Sequence, residues 1–174
     1  MQDYKAFVSS TAKDLLPHRA HVIQELRRAG FQVDPMEDWP ASADEPKKFS
    51  QERLDGCHLC VLLIGRRRGF VPPGEEHSIT QLEYRAALRL KIDVLPYFLD
   101  DAETDWPAEF DERHTDGQLA AWRAEVAGRH GRELFTKHPA SIGIGAASSR
   151  WRQENGFKVA KPAQSRAAGR VVHI

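Results

Sequence analysis

A glutamate stands where a carboxylate is costly. The sequence from Ile79 to Leu90 predicts a helix, and at about 100° per residue Ile79, Leu82, Ala86, Ala87 and Leu90 share one stripe, with Glu83 inside it. A carboxylate on the core-facing side of a helix is destabilising unless it is paired or faces a cleft. Burial also raises its pKa, which suits a group that performs acid, base or electrostatic work on a substrate. A buried ion pair with an arginine is the other arrangement that accounts for it.

Other residues near it in the chain could hold a ligand. Arg66, Arg67 and Arg68 stand between Gly65 and Gly69, and guanidinium forks match phosphate oxygens, so Arg66 and Arg68 are candidates for a pyrophosphate; a solvated loop is the alternative. Ser9, Ser10 and Thr11 put three hydroxyls at the end of an apolar run. They suit a ribose or a phosphate, or equally the cap of a helix beginning at Ser10 or Thr11. Glu37, in a loop with Asp38 and Trp39, and Ser78, at the start of the helix that carries Glu83, complete the candidate ligand contacts together with Gly65. Cys57 and Cys60 have CxxC spacing, but the second lies in a predicted strand and no other cysteine exists to complete a zinc site, so they read as buried structural residues. Glu75, Glu76 and His77 read as a solvated loop, and no metal triad is legible.

The elements that must position these groups follow from the apolar runs. Leu59 to Ile64 is continuously apolar and stops at Gly65, the pattern of a central parallel strand covered on both faces. Further strands are predicted at Tyr4–Val8, Gln32–Pro35 and Asp93–Leu99, with a small fifth at Leu134–Phe135. Pro96 suggests a missing ladder bond or an edge. Helices are expected from Ser10 or Thr11 to Gly30, with Leu15, Val22, Ile23 and Leu26 buried, and then over Pro46–Leu54, Ile79–Leu90, Gln118–Ala127 and Pro139–Trp151. Alternating strands and helices predict an α/β fold: an open parallel sheet of four to five strands, order 2-1-3-4(-5), flavodoxin/TIR-like, with helices on both faces. That order sets the carboxyl ends of the first and third strands side by side at the switch point, where such sheets bind ligands.

With 25 basic and 25 acidic residues and a pI near 7.1, bulk charge gives no support for a specific nucleic-acid or membrane partner. No apolar run approaches the roughly 18 residues of a membrane span. Together with only two cysteines, this predicts a cytoplasmic protein. One domain is expected over residues 1–154, with a disordered basic tail over 155–174, where acidic residues are absent.

Phe7-Val8-Ser9-Ser10-Thr11 with Lys13-Asp14-Leu15, Gly65 through Gly69, Pro72-Pro73-Gly74, and Ser78-Ile79-Thr80-Gln81-Leu82-Glu83-Tyr84 with Ala87 resemble a TIR-like domain of unknown function. Such domains are typically found N-terminal to NACHT, WD-repeat or TPR regions. The pattern around the glutamate is also similar to TIR domains and nucleoside deoxyribosyltransferases. The resemblance implies that Glu83 is the catalytic acid of N-glycosidic bond cleavage, with NAD or a related nucleotide as substrate, no further cofactor, and a role in signalling or antiviral defence. It equally allows a non-catalytic module that signals by self-association. The loop 66–77 has little apolar area to offset its ordering entropy and is expected to be mobile until a second subunit packs on it, so that activity would depend on assembly.

Overall fold

Every residue of β3 (Leu59–Ile64) is buried, because the strand is sandwiched between neighbours in the sheet and by helices on both faces. The computed structural model describes residues 3–34 and 52–159. Within them β1 (Tyr4–Ser10), β2 (Phe31–Val33), β3, β4 (Asp93–Leu99) and β5 (Glu133–Phe135) form one sheet in the order β2-β1-β3-β4-β5. All pairings are parallel, and the register sets Ser10 beside Leu63 and Ile64 beside Phe98. The carboxyl ends of β1 and β3 are therefore neighbours, as the order 2-1-3-4-5 requires. Glu37 and residues 46–51 of the predicted second helix lie outside the described residues; 52–54 are helical. Pro96 pairs with Leu62 on one side, and β5 joins β4 only from Tyr97 onward. The proline thus occupies a position with no strand on its far side among the described residues, which is how a sheet tolerates it.

Among the described residues the helices α1 (Leu16–Arg28), α2 (Ile79–Arg89), α3 (Gly117–His130) and α4 (Ile144–Val159) cover the sheet. Leu15, Val22, Ile23 and Leu26 pack with Val8, Val61, Leu63 and the Ile144 and Trp151 side chains of α4 on one face. Tyr84, Ala86 and Ala87 of α2 and Leu119, Trp122 and Val126 of α3 pack with Phe7, Cys60, Leu62 and Ile64 on the other. Cys57 and Cys60 are buried free thiols, and burial pushes Cys57 up to about 11 and Cys60 higher still. Among the described residues no helix is long and apolar enough to cross a membrane.

Two helix starts differ from expectation. Ser10 and Thr11 do not cap α1; it begins five residues after Thr11, behind Leu15, with no side-chain cap and Pro17 in its first turn. The Ser10 hydroxyl is engaged elsewhere, donating to the Thr11 carbonyl and accepting from Arg19. The last helix starts at Ile144 rather than Pro139 and runs to Val159, past the boundary placed at 154; the remaining tail, 160–174, lies outside the described residues.

At the amino-terminal edge of the sheet α4 closes an aromatic seam. Trp151 packs edge-on against Tyr4 at 5.8 Å and tilted against Phe31 at 5.8 Å, and its indole N–H donates to Asp93. The Arg152 guanidinium lies 5.4 Å from the Tyr4 ring and donates to the Ala29 carbonyl.

Ser78 caps α2 as the sequence suggests. Its hydroxyl accepts from the Gln81 N–H, and the Gln81 side chain accepts from the Ser78 N–H at 2.8 Å, a reciprocal capping box. Ser78→Ala is expected to cost about 1 kcal/mol, read as a melting temperature lower by about 2 to 4 °C. An unchanged melt would show that water replaces the cap without loss.

Candidate functional site

The carboxyl ends of β1 and β3 and the first turns of α2 enclose a cleft of about 380 Å³. Residues 10–13 form one wall, Arg67, Gly69 and Phe70 another, and Ile79, Thr80 and Glu83 of α2 the third. Glu83 is 2% exposed, and its Oε2 accepts a hydrogen bond from the Ser9 hydroxyl at 2.5 Å. Burial pushes its pKa up to about 7, while the Ser9 hydrogen bond and the Arg19 and Arg53 guanidiniums act the other way. Desolvation wins, so at neutral pH both protonation states of this carboxyl are populated. The glutamate faces a cavity as well as cationic neighbours, which separates it from a purely structural ion pair.

Ser9, Ser10 and Thr11 meet Glu83 at the cleft, but their roles differ. Ser9 holds the carboxylate and Ser10 holds Arg19, whose Nη1 donates to Ser10 Oγ at 2.9 Å. The buried Thr11 hydroxyl has no hydrogen-bond partner among the described residues. Beneath it lies Asp14, 7% exposed, with neither carboxylate oxygen in a well-formed hydrogen bond among the described residues and the Arg67 guanidinium 3.7 Å away. Burial raises the Asp14 pKa, against the Thr11 hydroxyl and Arg67. Gly65 permits this approach: a Cβ there would stand 3.0 Å from Asp14 Oδ2. Gly69 is required twice over, by its φ of +93° and because a Cβ would stand 2.9 Å from Thr11 Cγ2.

The three arginines are used differently from the phosphate-binding expectation. Arg66 is 3% exposed; it donates to the backbone carbonyls of Asp100, Asp101 and Glu103 and pairs with Asp111 at 3.5 Å. Arg68 pairs with Asp116 at 2.7 Å and donates to the Glu76 carbonyl and to Gln118. Neither lines the cleft. Arg67 does, pairing with Glu112 at 3.1 Å as well as with Asp14. The loop expected to be mobile is therefore fastened by its own charges to the acidic segment 100–116 within one subunit. The cations that face the cleft are Lys13 and Arg67, and Phe70, 64% exposed, forms its lip.

Sequence reasoning missed Lys13, Thr80 and Phe70 as cleft residues, and Asp14 behind Thr11. It also missed Arg19, although a signal was present: Leu15, Arg19, Val22 and Leu26 recur at helical spacing, which places Arg19 on the buried stripe of α1 as Glu83 is on that of α2. The Arg19 guanidinium, across the sheet from α2, lowers the Glu83 pKa by its charge. No group of three or more His, Cys, Asp or Glu side chains able to hold a metal occurs among the described residues.

A five-stranded parallel sheet in this order, with a cleft over the ends of β1 and β3, defines an open doubly wound α/β domain. The chain belongs to the family described as a domain of unknown function, DUF4062, whose model matches residues 5–147. Its fold is similar to that of the TIR domain heterodimer of RPS4 and RRS1, with a TM-score of 0.50 and 13% identity over 89% of this chain and 99% of that one. It also resembles the TIR domains of the activated Roq1 resistosome directly recognizing the pathogen effector XopQ, with a TM-score of 0.49 and 15% identity over 88% and 99% of the two chains. Among curated proteins no match was found.

Proposed function

We propose that this domain cleaves the N-glycosidic bond of NAD or a related nucleotide, with Glu83 as the catalytic residue. The observation that carries the reading is a carboxyl group that is almost wholly buried, opens into a cleft at the switch point, and has a pKa near 7. The bond from a cationic pyridinium to ribose breaks with its electron pair passing to the ring nitrogen, so neutral nicotinamide leaves without needing an acid. The developing oxocarbenium ion needs a negative charge beside it in a site of low dielectric, and ionised Glu83, oriented by Ser9, supplies that charge. Water then adds to the anomeric carbon and its proton leaves through the carboxylate. The Thr11 hydroxyl at the cleft wall suits the ribose, Lys13 and Arg67 suit the phosphates, and Phe70 offers a face on which a planar base can stack.

A signalling or defence role ahead of other domains, in which copies of the chain associate, is part of the same proposal. Its support is the TIR resemblance and the exposure of Leu16 and Phe70, 53% and 64%. Incubating purified protein with NAD, free in solution and tethered at high density, and following released nicotinamide tests the chemistry. Product is expected at a rate about 100-fold or more above that of Glu83→Gln. Release no faster than from Glu83→Gln in both formats would refute the enzyme and leave the self-association module.

A further inference from the structure

A second cavity, of about 300 Å³, lies on the other side of the arginine loop, between α3 and the carboxyl end of β4. Its floor is the Phe98 ring with Leu119, and one wall is Ala120, Ala124 and Ala127, spaced to share a face of α3, whose short side chains leave the space open. Three guanidiniums share its rim: Arg113, Arg123 and Arg132. Arg66 lies behind them, so four arginines stand against two carboxylates, Asp101 and Asp111, and positive charge is in excess. Asp101 is the rim's one carboxylate among the described residues; Arg123 at 3.1 Å and Arg132 at 2.9 Å share it, and its side chain is 57% exposed. An incoming anion can therefore replace Asp101 at two guanidiniums while Asp101 turns to solvent.

We propose that this cavity is a binding site for a small organic phosphate bearing a flat apolar group, separate from the Glu83 cleft. The alanine wall of α3, Ala120, Ala124 and Ala127, takes the flat group, and the guanidinium forks take the phosphate oxygens, for which planar paired donors are suited. Arg123 shows that the environment tolerates a stacked guanidinium, lying 5.6 Å from the Phe98 ring centroid. Burial and the nearby charges of Arg132, Arg66 and Arg113 hold its pKa below the ordinary range, against Asp101; an added anion relieves that crowding. The site also touches the cleft's supports, because Arg123 donates to the carbonyls of Gly65 at 2.8 Å and Leu99 at 2.9 Å. Gly65 opens the loop whose Arg67 and Gly69 line the cleft.

Titration calorimetry of the full chain with phenyl phosphate, inorganic phosphate and benzoate tests the site. Phenyl phosphate is expected to bind at least about tenfold more tightly than either fragment probe. Ala124→Leu, which fills the cavity on an exposed helix face, and Arg132→Gln are each expected to weaken it by about tenfold or more. Phe70→Ala, at the lip of the other cleft, should leave the affinity unchanged. No heat with phenyl phosphate up to about 10 mM, equal affinity for benzoate, or a loss produced by Phe70→Ala and not by Ala124→Leu would each overturn the proposal.

Discussion

Glu83→Gln is expected to lose nucleotide cleavage and, at alkaline pH, to gain stability. The Glu83 carboxyl titrates near 7 in the folded protein against an ordinary value of 4.5, so between those values the native state holds a proton that the unfolded chain has released. Stability therefore falls as pH rises through that window, and above it the buried charge costs about 3 kcal/mol. Glutamine keeps the size of the side chain and removes the charge. Thermal melts should show the two proteins alike at about pH 4 and the variant higher by several degrees at about pH 8. Activity of the parent should run the opposite way, rising with pH through 7 as the carboxylate forms. A variant that melts below its parent at pH 8 would show that the ionised carboxylate stabilises the fold, and the site would then be a structural ion pair.

Arg66→Ala is the second large effect, and it should appear in stability rather than in substrate affinity. Its guanidinium is 3% exposed and ties the end of β3 to the backbone of residues 100–103 and to Asp111. Removing it leaves those carbonyls unpaired and Asp111 with Arg113 alone, a loss of about 3 kcal/mol, or about 10 °C in melting temperature. Arg68→Ala, at an ion pair whose side chains are 13% and 19% exposed, should cost less. Urea unfolding of both variants beside NAD kinetics separates the roles. A higher KM with unchanged unfolding would restore Arg66 to the ligand.

The contrast between Glu83 and Arg66 marks what the sequence could disclose. Glu83 was legible because its burial is a property of one helix: its stripe is fixed by spacing within twelve residues of chain, 79–90. The same holds for β3, whose apolar run predicts burial on both faces, and for Ser78 with Gln81, a cap written three residues apart. The arginine triplet is visible as a charge run, and residues 100–112 are rich in acidic side chains. Nothing local says that they meet, since Arg66 and Asp111, or Arg68 and Asp116, are joined only by the folded sheet. The start of α1 was misplaced for a similar reason. The Ser10 hydroxyl that local rules assign to a cap is held by Arg19, one full strand-to-helix turn away.

The seam of Tyr4, Phe31, Trp151 and Arg152 brings the start of β1 and the last helix together at one rim. Tyr4 opens β1 and the cleft begins at Ser10, so the seam lies about 20 Å from the mouth of the cleft, on the opposite rim of the sheet. A Cβ at Gly156 would come within 3.2 Å of the Tyr4 hydroxyl, which puts the late part of α4 at that same rim. The amino end of β1 and the late part of α4 thus lie on one side of the sheet, back to back with the cleft. A load applied at this rim reaches Ser9, and through it Glu83, along the length of β1.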